Sequence, residues 1–69
     1  MMTKAQLTWS QRETLRRMQQ YPDAVWAQKS LSVQRRTLEA LERAGYVSRV
    51  EEAVGVLWVL TDAGKDVKL

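Results

Sequence analysis

The stretch Thr37-Leu38-Glu39-Ala40-Leu41-Glu42-Arg43-Ala44-Gly45-Tyr46-Val47-Ser48-Arg49, followed by Val56-Leu57-Trp58-Val59-Leu60-Thr61-Asp62-Ala63-Gly64-Lys65, decides the fold. Leu38 and Leu41 stand three apart on one helical face, with Thr37 and Ala44 beside them. Gly45 follows as a C′ residue suited to the left-handed conformation, and Arg43 in the last turn complements the helix dipole. This spacing predicts a helix from about Val33 or Gln34 to Ala44. The period then changes. Tyr46 to Glu51 and Val56 to Thr61 are β-rich runs separated by a few residues including Gly55, which predicts a hairpin. Thr61 or Asp62 caps a last helical turn reaching toward Leu69. Gly64 is a poor helix former, so its place in that turn implies a backbone packed close against it.

Upstream, Thr8 with Gln11 three residues later has capping-box spacing, and Leu15 and Met18 recur at helical intervals. A first helix is expected from about Trp9 to Gln20. Tyr21-Pro22-Asp23 ends it, because the residue before proline is pushed out of the α region. Pro22 suits the first turn of a second helix, from about Asp23 to Ser30, with Ala24, Ala27 and Leu31 as a narrow inner face. Ser30-Leu31-Ser32-Val33 then offers cap-type side chains and an apolar pin, the content of a tight turn. The expected order is helix, helix, helix, strand, strand, helical tail, in a single domain over residues 1–69.

The region from the third helix onward resembles winged helix-turn-helix repressors of the MarR and PadR type. The residues carrying the resemblance are Leu38, Leu41, Glu42, Gly45, Tyr46 and Val47, then Trp58, Leu60, Thr61 and Gly64. The resemblance implies a mainly α fold with a small β-hairpin: a three-helix core, a wing and a short C-terminal helical turn. It also implies a small sequence-specific protein that binds double-stranded DNA, a transcription regulator of bacterial or phage type.

Composition narrows the alternatives. A chain of 69 residues has one modest core, burying about 60% of its unfolded surface. It has no cysteine and no histidine, which removes thiolate sites, the commonest zinc ligand and the commonest general base. No metal and no cofactor are expected. The longest uncharged apolar run, Val54 to Leu60, falls far short of the roughly 20 residues of a membrane helix. Met1-Met2-Thr3-Lys4 leads into polar sequence without a signal-type apolar stretch. A cytoplasmic protein is expected, associated with the nucleoid when bound to DNA. The net charge of +3 is unevenly placed: residues 1–49 hold nine of the eleven basic residues against four acids, and residues 50–69 carry a balance of −2. The basic surface belongs to the helical part.

With Leu38 and Leu41 inward, a step of about 100° per residue puts Arg36, Glu39 and Arg43 on the opposite face, flanked by Arg35 and Ala40. In helix-turn-helix proteins that face enters the major groove. Arg36 is the first candidate for a base contact, since arginine pairs bidentately with guanine. Gln34 suits adenine and Glu39 suits cytosine. Arg35, Lys29 and either Arg12 or Arg16 are phosphate candidates, and Ser30 and Ser32 offer hydroxyls or backbone N–H groups at the helix junction. The plainer reading is that exposed helical charges are simply solvated, that Glu39 and Arg43 form an ordinary i,i+4 pair, and that Arg12, Arg16 and Arg17 form a solvated face.

Two features depart from the pattern. The hairpin tip carries Glu51-Glu52-Ala53-Val54-Gly55, where carboxylates repel a DNA backbone, so the wing is expected either to be short and contribute little to DNA binding beyond Arg49, or to serve a protein partner. The strand Val56 to Leu60 is apolar on both faces, with Val56, Trp58 and Leu60 on one and Leu57 and Val59 on the other. Either Trp9 and the N-terminal segment cover Leu57 and Val59, or these residues form a patch for a homodimer or a protein partner. Trp26 is either a core anchor between the second and third helices or an interface aromatic. The alternative to DNA binding is therefore a winged-helix interaction module that binds transcription or replication machinery or homodimerises through the wing strand. An enzyme is not expected: the paired acids Glu39/Glu42 and Glu51/Glu52 fall on expected surface, with no histidine or phosphate-binding glycine loop.

Overall fold

A computed structural model of the chain describes residues 7–53 and 55–69. Among these residues there are four helices and a three-stranded antiparallel sheet: α1 (Trp9–Gln19), β1 (Trp26–Ala27), α2 (Gln28–Leu31), α3 (Arg35–Arg43), β2 (Val47–Glu52), β3 (Gly55–Leu60) and α4 (Asp62–Asp66).

Local chemistry sets the helix ends. At α1, Thr8 Oγ1 accepts the Gln11 N–H at 3.1 Å and Gln11 Oε1 accepts the Thr8 N–H at 3.0 Å, the reciprocal capping expected from the spacing. α3 ends in a Schellman arrangement: the Gly45 N–H donates to the Glu42 carbonyl and the Tyr46 N–H to the Leu41 carbonyl, both at 3.0 Å, with Gly45 at φ +90°. At α4, Thr61 Oγ1 accepts the Gly64 N–H at 3.1 Å and its own hydroxyl donates to the Gly45 carbonyl at 2.6 Å. One threonine thus caps the last helix and clasps the end of α3. Gly64 is buried, and a Cβ there would run into the Tyr46 carbonyl oxygen, so the close backbone approach expected at this glycine is present.

Between α1 and α3 the chain departs from expectation. Pro22 does not open a helix. The Ala24 N–H donates to the Tyr21 carbonyl at 2.9 Å, which makes Pro22 the second residue of a tight turn, where its fixed φ is equally favourable. Trp26 and Ala27 form a strand instead of helix, and the helix expected over Asp23–Ser30 shrinks to Gln28–Leu31. The physical reason is the free edge of β3: Trp26 pairs with Trp58 and Ala27 with Leu57, so tertiary ladder bonds replace helical ones. The hairpin becomes a sheet of order β1-β3-β2. Ser32 then closes α2 in the left-handed conformation, at φ 53° and ψ 44°.

The core is Leu15 and Met18 from α1, Leu31 from α2, Leu38 and Leu41 from α3, Val47 from β2, and Trp58 and Leu60 from β3. Leu7, Trp26, Val33, Tyr46 and Val67 pack around it half-buried. Trp26 is therefore a rim residue on the sheet, 6.2 Å from Tyr21 between ring centroids, and not an anchor between helices. The β2–β3 register puts Val47 with Leu60 and Arg49 with Trp58 on the inner face, and Ser48 with Val59 and Val50 with Leu57 on the outer.

Candidate functional site

Burial of Leu38 and Leu41 fixes the rotation of α3, and Gln34, Arg35, Arg36 and Arg43 are exposed as that rotation requires. Glu39 is half-buried on the flank. The N-terminus of α3 is capped by Gln34 in extended conformation without a side-chain hydrogen bond, and no acid lies in the first turn. The positive end of this helix dipole thus faces outward beside Arg35 and Arg36.

Lys29, Ser32 and Gln34 are brought together around one shallow depression at the α2–α3 junction, together with Gln28 and Val33. Gln28 Nε2 donates to the Val33 carbonyl at 3.2 Å and braces the turn. Glu39, Arg43 and Arg49 meet around a second depression with Glu42, where α3 faces β2. Two groups of candidate residues therefore lie at the two ends of α3.

The ion pairs differ from the expected one. Glu39 pairs with Arg35, one turn upstream, at 3.2 Å, and not with Arg43. Both arginines lie one turn from Glu39, and Arg35 is the one in contact. No carboxylate among the described residues pairs with Arg36 or Arg43.

Arg49 is engaged inside the molecule. Its Nη2 donates to Glu42 Oε1 at 2.8 Å, and its guanidinium carbon lies 5.3 Å from the centre of the Trp58 ring. The Glu42 hydrogen bond, then the Glu42 charge, raise the Arg49 pKa above its ordinary value. Its Nε is buried without a partner. The side chain expected at the wing as a free cation is thus a strut between β2, β3 and α3. Glu42 and Trp58, noted in the sequence for the motif they share, are the partners that hold it; the register Arg49↔Trp58 was the signal that periodicity alone lacked.

Glu51, Glu52 and Ala53 are exposed, so the acidic charge expected at the hairpin tip stands in solvent; Val54 lies outside the described residues. Leu57 and Val59 are half-buried on the outer face of the sheet. Trp9 is 74% exposed and lines a groove with Tyr21 and Trp26, on the helical side of the molecule, instead of shielding them. The N-terminal segment 1–6 lies outside the described residues.

Among the described residues no helix is long and apolar enough to cross a membrane, and no three His, Cys, Asp or Glu side chains stand together to hold a metal ion. Compared with models of protein families, with curated proteins and with solved structures, the chain matches none.

Proposed function

We propose that this chain is a small winged-helix domain that binds duplex DNA and reads the major groove with α3, as a transcription regulator of bacterial or phage type. The observation that carries this reading is the outward face of α3, which presents Arg36 and Arg43 without carboxylate partners among the described residues while Leu38 and Leu41 anchor the helix. The element order and the strand order β1-β3-β2 support it, since they seat α3 against a sheet whose last two strands form the wing.

On this reading each exposed side chain has a role. Arg36 meets guanine O6 and N7, a contact worth about 1–3 kcal/mol of discrimination. Gln34, at the exposed tip of α3, is placed for an adjacent base. Lys29 and the Ser32 hydroxyl meet phosphates at the α2–α3 junction, and Arg43 does so at the far end. Arg35 and Glu39 hold one another, so reading by Glu39 requires that pair to open. Arg49 sets the angle between α3 and the wing through Glu42.

Fluorescence anisotropy on mixed duplex DNA across a salt series tests this. Log K should fall by roughly 0.9 per phosphate neutralised. Arg36→Ala should lose about 1–3 kcal/mol on a selected site, and Arg43→Ala should lower the salt slope by about one contact. Absence of binding at low salt, or variants indistinguishable from the parent, would remove α3 as the reading element.

A second reading has its own observation. The outer face of the sheet sets Val50, Leu57 and Val59 side by side, half-buried, and Val25 beside β1 is 55% exposed. This apolar strip supports a homodimer or protein-partner surface.

A further inference from the structure

The groove lined by Trp9 adjoins the depression at the α2–α3 turn and shares Ser32 and Val33 with it. α1 and its C-cap residue form one wall: Trp9, Glu13, Arg16 and Gln20 recur at steps of four, three and four, with Arg17 beside them. Tyr21 and Trp26 form the opposite wall, and Leu31, Ser32 and Val33 close the end. Its volume is about 630 Å³, within the size of small-molecule sites.

We propose that this groove takes an unpaired nucleotide of single-stranded nucleic acid, its base against the aromatic walls and its phosphate on Arg17 and Arg16. Trp9 and Tyr21 are 74% and 63% exposed, a large loss of burial for two aromatic rings in so small a protein. Tyr21 and Trp26 are tilted by 51° and not stacked flat, and the Tyr21 ring is largely exposed. Arg16 is held by Glu13 at 2.6 Å, while Arg17 is exposed and no carboxylate among the described residues pairs with it. The Trp26 Nε1–H is buried and has no acceptor; a small turn of the ring offers that donor to a base carbonyl or a phosphate oxygen. Aromatic platforms beside arginine are the chemistry of single-strand binding, where any base supplies a π face. An acidic peptide satisfies the arginines, but its anionic carboxylates are repelled by the negative ring faces of Trp9 and Tyr21. The site is independent of the reading of α3 by Arg36.

Anisotropy of fluorescein-labelled hexadeoxyuridylate and hexauridylate, which differ only in the sugar, with the full chain tests the proposal. Binding is expected at low salt; a preference for either sugar identifies DNA or RNA as the source, and both support the site. Trp9→Ala should weaken binding on the order of 5- to 150-fold, the range for one stacked base, and Trp9→Phe should restore most of it. Arg17→Ala should lower the salt slope by roughly 0.7. Arg36→Ala should leave single-strand binding unchanged, and Trp9→Ala should leave duplex binding unchanged, which separates this site from the face of α3. No binding of either hexamer, equal binding of the hexamer by Trp9→Ala, or equal competition by a hexaglutamate would overturn it.

Discussion

Gly45 takes φ +90° with nothing within 4 Å of the Cβ it lacks, whereas a Cβ on Gly64 would run into the Tyr46 carbonyl oxygen. The two glycines are required for different reasons, and alanine separates them. At Gly45 the cost is the left-handed backbone alone, about 1–2 kcal/mol. At Gly64 the obstacle is main chain, which cannot rotate away, so the cost is roughly 3 kcal/mol or more, at the top of the overpacking range. That carbonyl also accepts the Thr61 N–H at 3.1 Å, so displacing it strains the junction of β3 and α4 as well. A domain of this size has on the order of 5 kcal/mol of total stability. Urea melts should therefore leave Gly45→Ala folded with a lower midpoint and bring Gly64→Ala near to unfolding in water. Equal midpoints for the two variants would show that the α4 turn relaxes away from Tyr46.

At the scale of elements, the question is what holds the five-residue α4 in place, since a helix so short has no stability of its own. Two tethers join it to the α1 side. Lys65 and Asp23 stand 3.3 Å apart, but Asp23 is 92% exposed, and such surface pairs contribute about 0–1 kcal/mol. Gln19 Nε2 donates to the Gly64 carbonyl at 2.9 Å and the Val67 carbonyl at 3.0 Å, both in partly buried surroundings. At about 1 kcal/mol net each, these bonds outweigh the ion pair. Gln19→Ala should cost about 2 kcal/mol in a urea melt and Asp23→Ala under about 0.5 kcal/mol; the reverse ranking would shift the docking of α4 to the ion pair. Such tethers also mark where sequence reading stops. α1, α3 and the α4 cap were legible because Thr8/Gln11, Leu38/Leu41/Gly45 and Thr61 act within a few residues of themselves. β1 was not: Pro22 fits a helix start or a turn equally well, and what decides is the edge of β3, distant along the chain. The apolar character of both faces of Val56 to Leu60 was legible; Trp58 and Leu60 are buried against the helices, while Leu57 and Val59 stay half-buried on the outer face. At the candidate site, the exposure of Arg36 and Arg43 followed from periodicity. The pairing of Glu39 with Arg35 did not, because both neighbours lie one turn away. The capture of Arg49 by Glu42 and Trp58 depended on a register no local pattern contains.

Across the whole molecule, the radius of gyration of 11.4 Å is close to the roughly 11 Å of a compact domain of this length. The helices pack on one face of the sheet, where Val47, Trp58 and Leu60 are buried. The other face carries Val50, Leu57 and Val59, which take no part in the core cluster. These side chains, with Val25 and Ala27, cover only the middle of a small sheet. A stable dimer buries about 800 Å² per partner, a large share of a molecule whose accessible surface totals 4767 Å². A strip of this size sustains only a weak association, of the kind buried in interfaces under about 1,200 Å² in total. Sedimentation velocity should accordingly show a monomer at low concentration and a rising weight-average mass at high concentration. Val59→Glu places a carboxylate in the centre of the strip, where two copies would oppose like charges in a desolvated contact. It should abolish the rise while leaving the helical circular dichroism intact, because Val59 lies outside the core. A parent chain that stays monomeric throughout, or a Val59→Glu chain that associates as the parent does, would remove the outer face as an interface between copies.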